Sequence, residues 1–200
     1  FKSCLGGITM DENKLEINAP APLFEAKAFQ NEEIKKITLS QYRGKWVILA
    51  FYPADFTFIC PTELANLADH YDELQKLGVE VLSVSTDTVF VHKAWHDNSP
   101  SIKKIQFPMV ADPNAEICKA YGTYIAAEGL SYRATFIIDP DGVLKWFEIH
   151  DNSIGRSTFE IIRKIKAAQY VRTHGGEVCP VNWEPGGKTL RPGLELVGKI

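Results

Sequence analysis

Apolar positions along the chain keep two different rhythms. After the turn-like Arg43-Gly44-Lys45, the run WVILAFY (46–52) is uninterrupted, and VEVLSVS (79–85), the short FPMV (107–110) and ATFIID (134–139) are similarly dense. Continuous runs of this length read as strands buried on both faces. Between them the spacing changes to three and four residues. Leu64, Leu67, Ala68, Tyr71, Leu74 and Leu77 predict one amphipathic helix over 61–77, stopped by Gly78. Further helices are expected over about 89–96, over 114–122 with Gly122 as its stop, and over 157–174, where Phe159, Ile162, Ile165 and Val171 are expected to face the core. Asp139-Pro140-Asp141-Gly142 has proline and glycine where a type I turn favours them, so ATFIID and VLKWFEI (143–149) are expected to pair as a hairpin. Strands alternating with helices indicate βαβ units and an α/β fold.

The rhythm stops near residue 174. Gly175, Gly176, Pro180, Pro185, Gly186, Gly187, Pro192 and Gly193 exclude regular structure over 175–200. The same stretch carries Val178, Val181, Trp183, Leu190, Leu194, Leu196 and Val197, too many apolar side chains for a solvated linker. It is expected to pack on another surface, that of a second subunit. The chain thus divides into a domain over 1–174 and a C-terminal arm over 175–200.

Composition narrows the function classes. Two hundred residues, 45% of them hydrophobic, support one substantial core rather than two large domains. A net charge of -3 excludes the basic excess that nucleic-acid binding needs. The first ten residues, FKSCLGGITM, lack the apolar core of a signal peptide, and no window reaches the roughly 18 apolar residues of a membrane span. A soluble cytoplasmic protein, without membrane or nucleic-acid partners, is the expectation. Cys4, Cys60, Cys118 and Cys179 are too few and too scattered for a disulfide scaffold, and none forms C-x-x-C, so neither a dithiol motif nor a zinc ribbon is encoded locally.

Chemistry concentrates in YPADFTFICPTE (52–63). The strand ends near Tyr52 and Pro61 suits the first helical position, which sets Cys60 at a helix N-terminus, where unpaired N–H groups and the helix dipole favour a thiolate. A buried, inert cysteine is the competing reading. The pattern P-x-x-x-T-x-x-C shifts the balance towards chemistry, although so short a pattern also arises by chance: the Thr57 hydroxyl, one turn before the thiol, is able to accept from and donate to a bound oxygen species, and Pro53 screens such a pocket from water without offering an N–H. Glu63, in the first helical turn, is suited to cap the helix or to hold an arginine.

This stretch resembles the active-site loop of the typical two-cysteine peroxiredoxins, and HGGEVCPVNW (174–183) resembles their resolving-cysteine segment. The resemblance extends over SVSTDT (83–88), HKAWH (92–96), RATFIIDPDG (133–142), RKIKAAQYV (163–171) and LVGKI (196–200), and is nearer to the bacterial alkyl hydroperoxide reductases than to eukaryotic members. It implies a thioredoxin-like fold, with a central mixed sheet flanked by helices and an extended C-terminal arm. It also implies a thiol-dependent peroxidase in which Cys60 attacks a hydroperoxide and becomes a sulfenic acid. Cys179 from the partner subunit then condenses with it to a disulfide, and Arg133, always charged, steadies thiolate and peroxide. No metal, haem or flavin is needed in the chain, since sulfur holds the electrons. The implied partners are a hydroperoxide substrate and a thioredoxin-like protein or flavoprotein disulfide reductase as electron donor. The implied assembly is a homodimer built into a ring of five dimers.

Departures from the eukaryotic pattern also carry information. Ala127-Glu128-Gly129-Leu130 stands where peroxide-sensitive relatives have Gly-Gly-Leu-Gly, and the chain ends in LVGKI rather than a Tyr-Phe helix. Two other classes compete with the peroxidase: a ring-forming holdase chaperone using the apolar arm, and a protein disulfide oxidoreductase, which Thr62-Glu63 disfavours where a second thiol would be needed. His92 and His96 have the i, i+4 spacing of a metal pair but no local third ligand, and a solvated or interfacial helix face is expected. Trp95 and the STDT segment are expected at assembly surfaces, Cys118 is expected to be packed, and Cys4 to be an exposed thiol.

Overall fold

The computed structural model describes residues 15–200. Its first two strands, β1 (Glu25–Gln30) and β2 (Glu33–Thr38), form an antiparallel hairpin that the hydrophobic pattern does not predict. The uninterrupted run becomes β3 (Trp46–Phe51), with all six residues buried. Then follow α1 (Cys60–Asp69), α2 (Tyr71–Lys76), β4 (Val79–Ser85), α3 (Val89–Asn98), β5 (Met109–Ala111) and α4 (Glu116–Ala120). A two-stranded ribbon, β6 (Tyr124–Ile125) with β7 (Leu130–Ser131), precedes β8 (Arg133–Ile138), β9 (Leu144–His150) and α5 (Thr158–Thr173).

Seven strands make one mixed sheet in the order β2-β1-β5-β4-β3-β8-β9, parallel for β3, β4 and β5 and antiparallel elsewhere. Because successive side chains alternate across a strand, β3 feeds two cores at once. Ile48 and Ala50 join Leu64, Leu74, Ile162 and Ile165 on one face, while Val47, Leu49 and Phe51 join Val110, Tyr121 and Phe136 on the other. Each fully buried large aliphatic here is worth about 1.5–3 kcal/mol. The predicted hairpin is present: Gly142 donates to the Asp139 carbonyl at 2.8 Å in the positive-φ conformation a glycine tolerates, and Asp139 Oδ1 accepts from the amides of Asp141 and Val143. No helix among the described residues is long and apolar enough to cross a membrane.

Several expectations are corrected. The single helix over 61–77 is broken at His70, whose ring Nδ1 bonds the Asn66 carbonyl at 2.9 Å. That carbonyl is the acceptor His70's own amide would use in a continuous helix, and the amide turns to the Leu67 carbonyl instead. In α5 the buried residues are Thr158, Ile161, Ile162 and Ile165; Phe159 is 71% exposed and Val171 is exposed as well. At 3.6 residues per turn both point roughly 120° away from that face. The α3 face is not solvated: Val89, His92, Trp95 and His96 are all buried. Trp95 packs against Tyr52 and Phe56 and is part of the chain's own core. Thr88 of the STDT segment caps α3, accepting from the Val91 amide.

The arm over 175–200 holds only a Val178–Leu190 bridge and a short 3₁₀ turn, Leu194–Leu196. Part of its apolar surface is already covered by its own chain. Trp183 is 4% exposed, lies 4.9 Å from the Tyr170 ring, and presents its carbonyl to Arg163 Nη1 at 3.0 Å. Val181, Leu194, Val197 and Ile200 remain exposed.

Candidate active site

The segment joining β3 to α1 is held by a buried polar network that local sequence spacing does not reveal. Tyr52 donates its hydroxyl to Asp55 Oδ1 at 2.7 Å, His92 Nδ1 lies 2.8 Å from Asp55 Oδ2, and the Asp55 amide donates to Asp87 Oδ2, which also accepts from Ser85. His92 Nε2 faces the Val110 carbonyl at 3.2 Å, an acceptor only, so that nitrogen carries hydrogen and the other shares a proton with Asp55. Burial pushes the Asp55 carboxyl up, and the His92 hydrogen bond opposes it. Phe56 occupies a positive-φ conformation at the turn of this loop.

Cys60 is the first residue of α1, with Pro61 behind it and its sulfur fully enclosed. The β3–β8 register pairs Phe51 with Ala134, so Arg133 begins β8 beside the end of β3 from which the loop departs. Arg133 Nη1 donates to Cys60 Sγ at 3.3 Å and to Glu63 Oε2 at 2.8 Å; its Nε is fixed by the Asn152 carbonyl. Arg156 closes the arrangement. It gives Glu63 Oε1 its amide and Nε, Glu63 Oε2 its Nη2, and the Ala134 carbonyl its Nη1. Burial raises the Glu63 carboxyl, but the hydrogen bonds and charge of Arg156, with the charge of Arg133, more than offset it and hold it below the ordinary carboxylate value.

Charge balance follows from these contacts. Two guanidiniums and one carboxylate, all but a few per cent buried, leave one positive charge beside the sulfur. That charge and the unpaired N–H groups at the N-terminus of α1 both face the Cys60 sulfur.

Arg133, Cys60 and Glu63 thus meet near the end of β3, and Pro53 and Thr57 lie on the segment that leads from that strand to Cys60. Pro53 is buried in the loop. Thr57 is sharpened: its hydroxyl hydrogen goes to the Ala54 carbonyl at 2.8 Å, which leaves the oxygen as an acceptor, suited to the O–H of a hydroperoxide. Arg156 was not anticipated. It stands alone in SIGRST without a motif, and only a search for a second cation to satisfy Glu63 would have pointed to it.

The other thiols lie apart. Cys179 is half-buried with its sulfur 3.9 Å from the Ala167 carbonyl, on a cavity it shares with Trp46 and Asp139. Trp46 opens β3 and Asp139 follows β8, so in its own chain Cys179 sits at the opposite end of β3 from Cys60, a strand length of about 17 Å away. Burial raises its thiol, Arg163 lowers it and Glu177 raises it, with a net upward shift. Cys118 is fully buried, and burial followed by the charge of Asp112 pushes it up to about 12, which makes it inert. Cys4 lies outside the described residues.

The chain matches known proteins over most of its length. Residues 17–147 match the profile of the AhpC/TSA family, and residues 167–193 that of the C-terminal domain of 1-Cys peroxiredoxin. Alkyl hydroperoxide reductase C of Staphylococcus aureus is 54% identical over 186 residues, 92% of this chain and 98% of that protein. Among solved structures, Enterococcus faecalis AhpC superposes with a TM-score of 0.80 at 46% identity, covering 82% of this chain and 98% of that one. Reduced Plasmodium vivax 2-Cys peroxiredoxin superposes with a TM-score of 0.87 at 33% identity, covering 91% and 96%.

Proposed function

The chain belongs to the AhpC/TSA family and is a thiol-dependent peroxidase, and from that premise we propose that Cys60 is the thiolate that attacks hydroperoxides. The observation that carries this reading is the 3.3 Å hydrogen bond from Arg133 to Cys60 Sγ at the N-terminus of a helix, beside a buried cluster one negative charge short. In the first step a sulfur lone pair attacks the terminal peroxide oxygen. An S–O bond forms, the O–O bond breaks, and the departing alkoxide or hydroxide leaves as alcohol or water on taking a proton. Cys60 becomes a sulfenic acid. Thr57 accepts the O–H of the incoming peroxide, Arg133 offsets charge developing on the breaking bond, and Pro53 keeps an N–H donor out of the pocket. Glu63 and Arg156 are positioning residues that aim Arg133.

In the second step the Cys179 thiol of a partner subunit attacks the sulfenic sulfur, forming the S–S bond and releasing water. Residues 1–174 carry the peroxide-reducing site and the arm over 175–200 carries the resolving thiol. A disulfide needs its two Cα atoms within about 7 Å, and the strand length between the two cysteines of one chain favours a partner in trans. The exposed Val181, Leu194, Val197 and Ile200 supply apolar surface for the assembly, which we take to be a homodimer within a ring of five dimers. An external dithiol reductant, a thioredoxin-like protein or a flavoprotein, returns the disulfide to thiols. A reducing cytoplasmic setting suits that cycle.

One equivalent of hydroperoxide is expected to convert the reduced protein to a covalent dimer on a non-reducing gel, and Cys60→Ser or Cys179→Ser to abolish that band. A band that stays monomeric after oxidation would refute resolution in trans. The turn between β6 and β7, Ala127-Glu128-Gly129-Leu130, lacks the Gly-Gly-Leu-Gly of peroxide-sensitive relatives. Disulfide formation is therefore expected to outrun further oxidation, with turnover sustained in excess peroxide. Rapid inactivation at micromolar peroxide, with sulfinate on Cys60 by mass spectrometry, would contradict this.

A further inference from the structure

Away from Cys60, the described residues contain two groups of three side chains placed closely enough to hold a metal ion: Asp55, Asp87 and His92, and Glu32, His96 and Asp97. Their hydrogen bonding distinguishes them. The first group is satisfied from within, since Tyr52, Ser85, the Asp55 amide and the Val110 carbonyl supply partners to its carboxylates and ring nitrogens. In the second, His96 Nδ1 is buried without a hydrogen-bond partner, although the side chain is only 9% exposed. An orphaned ring nitrogen in that position is costly unless something meets it.

What Nδ1 faces is the other two members. Glu32 Oε1 lies 3.5 Å from it and Asp97 Oδ1 lies 3.9 Å from it. Ligand atoms about 2.0–2.2 Å from a common tetrahedral metal stand about 3.3–3.6 Å apart, so these separations are those of a coordination triangle slightly open. Glu32 comes from the β1–β2 turn, where it and Asn31 both adopt positive φ, and His96 and Asp97 come from α3; no local sequence spacing joins them. The imidazole is held in its orientation by an edge contact with Phe29, at 5.2 Å between ring centroids.

Lys93 has the role of a resident cation. Its ammonium bonds Glu32 Oε2 at 3.0 Å and Asp97 Oδ2 at 2.8 Å, the oxygens that do not face His96. It thereby draws the two carboxylates together and leaves Oε1 and Oδ1 turned to the imidazole. We propose that Glu32, His96 and Asp97 form a binding site for a divalent first-row cation, Zn²⁺ foremost, which pins the β1–β2 hairpin to α3. One imidazole and two carboxylates make a mixed N,O set suited to Zn²⁺, with solvent completing the tetrahedron, and Cu²⁺ and Co²⁺ are its natural competitors. Lys93 weakens the site by charge repulsion, which sets the expected affinity in the micromolar range rather than that of a closed structural zinc site.

The test uses Zn²⁺ by calorimetry and Co²⁺ by absorption, on the full chain carrying Cys4→Ser, Cys60→Ser and Cys179→Ser so that accessible thiols do not compete. One Zn²⁺ per chain is expected at micromolar concentration, and bound Co²⁺ is expected to show weak ligand-field bands without thiolate charge transfer. Glu32→Gln, in an exposed turn where folding is not at stake, and His96→Gln are each expected to weaken binding at least tenfold. Lys93→Met is expected to tighten it severalfold. Absence of binding below millimolar Zn²⁺, binding indifferent to both Glu32→Gln and His96→Gln, or binding lost in Lys93→Met would each overturn the proposal.

Discussion

Replacing Cys60 by serine is expected to remove hydroperoxide consumption by about 10³-fold or more, to the background of the coupled assay, while the chain stays folded. The serine hydroxyl fits the space but does not ionise near neutral pH, so a chain that uses Cys60 as proposed is left without its nucleophile, beside a buried Arg133–Glu63–Arg156 cluster with one excess positive charge. Cys179→Ser separates the two thiols, because it leaves the first step intact. In that variant one equivalent of peroxide per chain is expected to disappear in a single fast phase, with sulfenic acid trapped by a dimedone-type reagent, and multiple turnover is expected to stop. Cys118 serves as the internal contrast, since burial and Asp112 keep its thiol protonated and out of the chemistry. Retention of more than about a tenth of the activity in Cys60→Ser would remove Cys60 from the role of nucleophile.

How much of this could be read from the sequence depends on how far apart the cooperating residues lie. The strands buried on both faces announce themselves as apolar runs, and β3 and β4 appear within one residue of where those runs stand. The 139–142 turn was legible because proline and glycine act locally, and Cys60 because a strand end, a proline and a motif converge on it. Long-range partners escape that logic. Asp55 and His92 are far apart in sequence and meet only because the loop after β3 lies over α3; without Asp55 in view, a histidine pair at helical spacing reads as a solvated face. The β1–β2 hairpin, EAKAFQ and EIKKIT, hides behind lysines and a turn with Asn31 and Glu32 in place of glycine. The break at His70 arises because a side chain takes a backbone acceptor, which hydrophobic spacing cannot register. Arg156 is invisible for the same reason as Asp55: its meaning is Glu63, a partner 93 residues away.

That partnership sets the second large effect. Glu63→Gln is expected to destabilise the fold by about 3–5 kcal/mol, the cost of removing one member of a buried ion pair and leaving its charge uncompensated. The carboxylate accepts four hydrogen bonds, three from Arg156 and one from Arg133. An amide offers one acceptor oxygen and turns an NH₂ donor towards a guanidinium, so two of the four contacts become donor against donor. The loss carries a pH signature. Because the folded state holds the Glu63 carboxyl below the ordinary value of 4.5, its contribution is fully present above that value and fades as pH falls through the folded pKa. Urea midpoints of the parent and Glu63→Gln should therefore differ most at neutral pH and converge in acid; a gap that is constant across the acid range, or smaller than about 1 kcal/mol at neutral pH, would show that the carboxylate is not what holds the arginines. Activity reads the same contact from the other side. With Glu63 neutral, Arg133 keeps Asn152 on its Nε but loses the carboxylate that aims Nη1, the rate of sulfenic acid formation falls, and the fall persists under conditions where the variant is fully folded. That distinguishes a misaimed arginine beside Cys60 from simple unfolding.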